Sequence, residues 1–344
     1  MSWLRRPGAR GLIIFGTSAL AGAAYRTTQS PPTHASLNPH TFTPYTLIRK
    51  QAVSSTSAIF TLRNRAGGPD PESLTEGWKR SVSSVQVKQP QLQIARAYTP
   101  LPPTEDAHVV GEGGPEDLRF LIRQEERGEV STYLHRLPEG STIELRGPNM
   151  ECELPEDIKE VIFLAGGTGI APAMQVARAL AQRPGSRMHI FWANRRREEC
   201  LGAVSDELET DIVKGQFSWK GLLGLRQAVP QTIVMDGHKN QVKGLLVQEL
   251  DALKQRSALH TRGLRVQYYV DEEGSFIKPG DVSKRLESDA SGQNGPRVIL
   301  VSGPDGFIEY WAGKKLWVGG QEVQGPLGGI LRHMDLKGWN VFKL

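Results

Sequence analysis

The chain has 344 residues, of which 38% are hydrophobic, enough to build the cores of two ordinary domains. Lysine and arginine total 42 against 37 acidic residues, but eight of the basic residues and none of the acidic ones precede Asp70. This composition excludes a disordered protein. Because the excess positive charge is confined to the N-terminal part, it gives no support to a nucleic-acid-binding function.

Residues 1–26 contain arginines, small residues and hydroxyl residues but no acidic residue, which is typical of mitochondrial import signals. The uncharged stretch at residues 11–25 would span about 22 Å as a helix, short of a hydrocarbon core of about 30 Å. A cleaved secretory signal is the alternative. The body has only two cysteines and no Asn-x-Ser/Thr site, so we predict a mitochondrial targeting and membrane segment.

Residues 27–41 form a predicted linker, since the region is polar and rich in proline. Residues 42–154 contain short β-branched segments separated by turn residues, which predicts an antiparallel barrel with surface loops at residues 66–77 and 102–116. In residues 155–344, apolar runs alternate with helical stretches, which predicts a doubly wound parallel sheet. Residues 200–243 fit neither pattern and are interpreted as an insertion.

A glycine cluster follows the first apolar run of the second half. In "VIFLAGGTGIAPAMQ", Gly166, Gly167, Thr168 and Gly169 form a predicted turn between a strand and a helix, with Pro172 in the first turn of that helix. Free backbone N–H groups and the positive end of the helix dipole suit a pyrophosphate. A turn required only for packing is the alternative.

Two further segments of the first half carry candidate anion-binding residues. In "IARAYTPL", the period of two places Arg96 and Tyr98 on one side of a strand, followed by Thr99. The cation could pair with a pyrophosphate, the ring could stack on an isoalloxazine, and the hydroxyl could bond a flavin heteroatom; an ordinary cross-strand pair is the alternative. In "RGEVSTYL", Ser131 and Thr132 stand at the start of a predicted short helix, another anion site.

The order of these motifs, Arg-x-Tyr-Thr, Gly-x-x-Ser, Arg-Gly-Pro and Gly-Gly-Thr-Gly-Ile-Ala-Pro, resembles the ferredoxin-NADP reductase superfamily and its NADH-cytochrome b5 reductase-like branch. The resemblance covers residues 42–344. Within that branch, the basic leader and the segments "QPQLQIARAYTPLP", "FWANRRREEC" and "YYVDEEGSFI" resemble the fungal mitochondrial Cyc2-type flavoproteins, which are connected with haem attachment to cytochrome c. The resemblance implies an FAD-binding barrel followed by an NAD-binding domain.

It also implies the site residues. Those implied to bind FAD are Arg96, Tyr98, Thr99, Gly128, Val130 and Ser131. Those implied to line the nicotinamide nucleotide cleft are Gly166, Gly167, Thr168, Gly169, Asp271, Gly303 and Pro304. Thr99, Thr168 and Ser302 are the implied catalytic positions beside the reacting rings. No metal site is expected, because the cysteines and histidines lack ligand spacing.

The sequence departs from the family pattern at four of these or neighbouring positions. Ser302 replaces the usual cysteine, Glu129 stands where a basic residue is common, and Ala171 replaces a threonine or serine. Phe342 lies two residues before the C-terminus, where the family ends in an aromatic residue. These departures leave FAD binding expected and weaken the expectation of fast NADH turnover.

Asp271, by the resemblance, would accept ribose hydroxyls and repel a 2′-phosphate, which favours NADH over NADPH. The basic run at residues 195–197 has the opposite interpretation, as a 2′-phosphate clamp, or it is simply a solvated loop.

The resemblance implies an FAD-dependent NAD(P)H oxidoreductase, tethered to the mitochondrial inner membrane and facing the intermembrane space. NADH would reduce the flavin, and a haem or haem protein, such as cytochrome c or its haem synthase, would accept the electrons. Two alternatives stay open: a general NADH-cytochrome b5 reductase, and a non-catalytic FAD-fold assembly factor that binds cytochrome c or its haem synthase.

Overall fold

The computed structural model of the chain describes residues 36–67, 72–103, 117–206, 242–260, 263–287 and 295–344. The predicted targeting segment, residues 1–26, lies outside these residues, as do residues 207–241 of the predicted insertion. Among the described residues, no helix combines the length and apolar character needed to cross a membrane.

The first half of the chain forms one antiparallel sheet of seven strands. They are β1 (Thr43–Ala52), β2 (Ser57–Asn64), β3 (Ser81–Gln89), β4 (Ile94–Tyr98), β5 (Pro100–Leu101), β6 (Leu118–Arg123) and β7 (Thr142–Glu153), in the spatial order β4-β3-β7-β1-β2-β6-β5. Along β1, buried side chains alternate with less buried ones, and Tyr45 and Leu47 meet Phe60 and Phe120 in the core. This period of two confirms the antiparallel, barrel-like first half.

Two helices accompany this sheet, α1 (Glu72–Arg80) and α2 (Glu129–Arg136). The prediction of a surface loop over residues 66–77 is wrong for its second part, where α1 begins. Trp78 packs against the core of the first sheet, and Lys79 and Arg80 lie in the last turn, where basic side chains favour a helix end. The packing of Trp78 therefore outweighs the loop-like composition of this segment.

The second half contains a five-stranded parallel sheet. Its strands are β8 (Glu160–Gly166), β9 (Arg187–Asn194), β10 (Gly263–Val270), β11 (Arg297–Ser302) and β14 (Trp339–Lys343), in the order β10-β9-β8-β11-β14. A separate hairpin, β12 (Leu316–Val318) and β13 (Gln321–Val323), precedes the last strand. The helices are α3 (Ile170–Ala181), α4 (Leu245–His260), α5 (Pro279–Glu287) and α6 (Asp305–Ala312).

The central strand β8 is buried along its whole length because helices cover both faces of the sheet. Val161 and Phe163 belong to the core that includes α3 and α4, whereas Ile162 and Leu164 belong to the core that includes α5 and α6. The predicted doubly wound sheet is thus confirmed. Its strands are almost continuously apolar because helices bury them on both faces.

One of the hydrophobic cores contains residues of both sheets. Ile59, Leu101 and Leu121 of the first sheet pack in the same cluster as α3 and α4 of the second. Strand β7 ends at Glu153 and β8 begins at Glu160, so only a short segment joins the sheets. Ligands bound between the halves would therefore meet a preformed cleft.

The fully buried amide of Gln175 on α3 connects this core to the first sheet. Its Oε1 accepts from the backbone N–H of Ser83 at 2.9 Å, and its Nε2 donates to the carbonyls of Ser83 and Pro100 at 3.2 and 2.8 Å. Because a lost amide leaves these buried groups unpaired, Gln175→Leu is expected to lower the free energy of unfolding by about 2–4 kcal/mol. Urea unfolding measures this. Gln248→Leu, at an exposed position of α4, is the control and should change stability by less than about 0.5 kcal/mol.

Candidate functional site

A cavity of about 290 Å³ lies where β4, β6, α2 and the glycine turn after β8 approach one another. Its wall consists of Arg96, Ala97, Tyr98, Leu121, Arg123, Glu125, Gly128, Glu129, Val130, Ser131 and Thr168. Six of the residues predicted from the sequence to bind a cofactor are among them. The structure therefore brings together segments that are up to 72 residues apart in the chain, Arg96 and Thr168 being the most distant pair.

Arg96 and Tyr98 enter the cavity wall from β4, the edge strand of the first sheet. Arg96 is exposed, whereas Tyr98 is half-buried against the first core, and this burial raises its pKa to about 12. The phenol is therefore neutral at physiological pH, and its ring lies beside a cation as the stacking and pairing roles require. Thr99 follows Tyr98 in the chain and is half-buried, but it does not belong to the cavity wall.

The N-terminus of α2 forms the second side of the cavity. Gly128 precedes the helix with an extended backbone, and a Cβ on it would lie 2.9 Å from the Cβ of Glu125. Ser131 Oγ accepts from the N–H of Glu125 at 3.1 Å and donates to the carbonyl of Gly128 at 3.2 Å, which fixes the loop before the helix. First-turn N–H groups lack intrahelical partners, so this end of α2 can bind an anion.

The Gly-Gly-Thr-Gly turn supplies the third side. Strand β8 ends at Gly166, a short 3-10 turn covers Gly167–Gly169, and α3 begins at Ile170. A Cβ on Gly169 would lie 2.6 Å from the carbonyl carbon of Ser302 and closer still to its oxygen. The glycines thus allow this turn to pack directly on the backbone at the end of β11, while Thr168 reaches the cavity.

The remaining predicted residues lie at the carboxyl edge of the parallel sheet. Ser302 ends β11 and is 7% exposed, Gly303 packs on the backbone of Gly166, and Pro304 precedes α6. Asp271 is exposed and follows β10 directly. Open α/β sheets bind ligands at this edge, so these positions suit a nucleotide that extends away from the cavity.

Sequence reasoning missed a buried ion pair between Arg123 and Glu199. Arg123 ends β6, lies in the cavity wall, and has its guanidinium carbon 3.6 Å from the position of a Cβ on Gly167. Glu199, in the 3-10 turn Arg197–Cys200, also accepts from the N–H of Arg195 at 3.1 Å. Both side chains are less than 10% exposed, and Nε of Arg123 has no hydrogen-bond partner among the described residues. No local pattern signals such a pair, because its partners come from different halves of the chain.

The basic run at residues 195–197 faces acidic residues. Arg197 Nε donates to Glu273 Oε1 at 2.7 Å, and the N–H of Arg197 donates to Glu272 Oε1 at 2.6 Å. Glu272 and Glu273 directly follow Asp271. Because this arginine is already paired, the arrangement favours the solvated-loop interpretation over a 2′-phosphate clamp.

Two of the departures from the family pattern have defined surroundings. Phe342 on β14 packs against the core shared by the two sheets and does not belong to the cavity wall. Ala171 is buried in the first turn of α3. Glu129, by contrast, belongs to the cavity wall.

The family models match both halves. An oxidoreductase FAD-binding domain matches residues 44–154, and an oxidoreductase NAD-binding domain matches residues 163–213. The fold is also similar to that in the crystal structure of full-length CYP116B46 from Tepidiphilus thermophilus, with a TM-score of 0.51, 14% identity, and coverage of 88% of this chain and 28% of that one.

Curated relatives include an uncharacterized FAD-binding protein of Schizosaccharomyces pombe, 32% identical over 46% of this chain and 53% of that protein. The chain thus spans about half the length of this relative. The cytochrome c mitochondrial import factor CYC2 of Saccharomyces cerevisiae is 24% identical over 98% of this chain and 93% of its own length. NADH-cytochrome b5 reductase 2 of Meyerozyma guilliermondii is 22% identical over 73% of this chain and 67% of its own length.

Both cofactor domains are present in the order that the motifs predicted, and the relatives include the two groups that the sequence resembles. The chain thus carries an oxidoreductase FAD-binding domain followed by an oxidoreductase NAD-binding domain, in a ferredoxin reductase-like fold.

Proposed function

We propose that the chain is an FAD-dependent NAD(P)H oxidoreductase that passes electrons from NADH to a haem or a haem protein, such as cytochrome c or its haem synthase. One observation carries the proposal: Thr168, from the glycine turn of the second sheet, lies in the wall of the same cavity as Arg96 and Tyr98 of the first. The nucleotide turn and the flavin-binding motif therefore meet at one place.

The residues of this cavity fit FAD. Arg96 offers a cation and Tyr98 an aromatic ring, while the first turn of α2 offers backbone N–H groups to a diphosphate. Gly128 leaves room for a close approach, since a side chain there would collide with Glu125. When bound, FAD supplies the chemistry that links a two-electron donor to one-electron acceptors.

We assign the residues around the reacting rings positioning and packing roles. Thr168 lies between the two cofactor sites, Thr99 follows the ring of Tyr98, and Ser302 ends β11 directly against the glycine turn. Ser302 is small and buried, so it excludes water without filling the space that a nicotinamide needs.

NADH is the favoured donor in this proposal. Asp271 is exposed at the carboxyl end of β10, where its charge would repel a 2′-phosphate. Arg197, which bonds the two residues after Asp271, already has its guanidinium paired with Glu273.

The proposed setting is the mitochondrial inner membrane, with the folded domains in the intermembrane space. The acid-free, arginine-containing leader supports this setting, and so does the similarity to a cytochrome c mitochondrial import factor.

A non-catalytic assembly factor is the second candidate, and the departures at Glu129 and Ser302 favour it. A general cytochrome b5 reductase is the third, favoured by the similarity to NADH-cytochrome b5 reductase 2. Both candidates keep the same fold and cofactor cavity.

Electron transfer distinguishes these candidates. With oxygen excluded, the purified chain and NADH should reduce haem or ferricytochrome c, and NADPH should act more slowly. Arg96→Ala should lose the activity because its cavity lacks the exposed cation. Arg127→Ala should retain it, since Arg127 is exposed but outside the cavity wall.

Reduction of cytochrome b5 alone would support the general reductase. An Arg96→Ala protein that lacks flavin yet still supports cytochrome c maturation in cells would contradict the catalytic proposal and support the assembly factor.

A further inference from the structure

Two carboxylate residues belong to the wall of the proposed flavin cavity, Glu125 and Glu129. They flank the N-terminus of α2, where the diphosphate of FAD would bind. Both are exposed. Their position is unusual for a site that must accept a dianion.

The cations of the wall do not outweigh these carboxylates. Arg123 has its charge matched by Glu199, with which it forms a buried pair. Arg96 is the other arginine of the wall. The four charged residues of the wall sum to zero, and counting Glu199, which is outside the wall and pairs with Arg123, gives a net charge of −1 before any ligand arrives.

Glu129 is the first residue of α2 and lies in its first turn. A carboxylate there is stabilised by the helix dipole, so Glu129 already supplies the negative charge that the helix end favours. A diphosphate must therefore compete with the Glu129 carboxylate for the N-terminus of α2.

Glu125 acts from the loop before the helix. Its charge contributes to the raised pKa of Tyr98, which places the carboxylate within electrostatic range of the ring expected to stack on the flavin. Its backbone N–H donates to Ser131 Oγ, which fixes the residue in this position.

We infer that Glu125 and Glu129 make the flavin site exchangeable: their charges oppose the FAD diphosphate, so that FAD binds reversibly instead of remaining permanently bound. This inference rests on the proposed function, since it concerns the same cavity. Glu125 and Glu129 are then determinants of cofactor affinity, and the chain exists as a mixture of flavin-loaded and flavin-free protein at low FAD concentration.

The test is a titration of flavin-free protein with FAD, followed by the change in flavin fluorescence. Glu125→Gln and Glu129→Gln remove one charge each, and each is expected to lower the Kd for FAD by about tenfold, with a larger change in the double variant. Glu126→Gln is the matched control: Glu126 is an exposed neighbour outside the cavity wall, and its variant should bind FAD like the wild type.

Two further measurements assign the effect to charge. Riboflavin lacks the diphosphate, so its Kd should be the same in the wild type and in both variants. Salt shortens the Debye length from about 30 Å at 0.01 M to about 8 Å at 0.15 M. Added salt should therefore leave FAD binding by the wild type unchanged or tighter, and should weaken binding by the double variant, in which Arg96 dominates.

Equal FAD affinity in the wild type and the double variant would overturn the inference and leave the proposed function intact. A parallel gain in riboflavin affinity would also overturn it, because the effect would then come from packing. Failure of every form to bind FAD would overturn both the inference and the proposed function.

Discussion

Gly169→Ala is expected to lower the free energy of unfolding by about 3 kcal/mol or more and to abolish nucleotide binding. A Cβ at this position would lie 2.6 Å from the carbonyl carbon of Ser302 and closer still to its carbonyl oxygen. It would also lie 3.0 Å from the backbone N of Gly303. These are backbone atoms at the end of a buried strand, so they cannot rotate away. The turn and β11 must separate instead, which displaces Thr168 from the cavity.

Urea unfolding and NADH titration measure the two effects. Gly280→Ala in α5 is the control, because nothing lies within 4 Å of its added Cβ and its φ is not positive. That variant should be neutral or more stable by up to about 1 kcal/mol. Equal stability of the Gly169→Ala protein and the wild type would contradict the close packing of the turn on β11.

The buried pair between Arg123 and Glu199 carries the second large expected effect. Glu199→Leu leaves the Arg123 guanidinium buried without its partner and should destabilise the protein by about 3–5 kcal/mol. The carboxylate also accepts from the N–H of Arg195, so the turn after β9 loses an anchor as well. Because the pair joins the two sheets at the cavity, cofactor binding should weaken together with stability.

Glu198→Leu tests whether burial is the cause, since Glu198 is the adjacent residue and pairs with Arg196 at 3.6 Å in a largely exposed position. That variant should cost less than about 1 kcal/mol. Adding Arg123→Met to Glu199→Leu removes the unpaired charge, so the double variant should be more stable than Glu199→Leu alone. A double variant at least as unstable as the sum of the single variants would contradict this account of the pair.

The sequence predicts both sheets because each has a local periodic signal. Alternation along β1 marks a strand with one buried face, and the apolar run of β8 marks a strand covered on both faces. The turn at Gly166–Gly169 is predictable for a related reason, since all its residues are contiguous. In each case the information lies within a dozen residues.

Contacts between the sheets leave no such local signal. Arg123 and Glu199 are 76 residues apart, and Arg119 of β6 pairs with Glu249 of α4 across 130 residues. Neither pair follows from spacing or composition. Helix α1 was missed for the same reason, because its anchor Trp78 contacts a core that forms only after the sheet assembles.

The central claim is that the cavity between the two halves binds FAD and that NADH reduces it there. The most direct test is the visible spectrum of the purified chain in saturating FAD, read against the same FAD without protein, before and after NADH is added without oxygen. We expect the protein to shift the flavin spectrum, and the flavin to bleach quickly with NADH and more slowly with NADPH. A flavin spectrum that the protein leaves unchanged at saturating FAD, or a shifted one that neither donor bleaches, would contradict the claim.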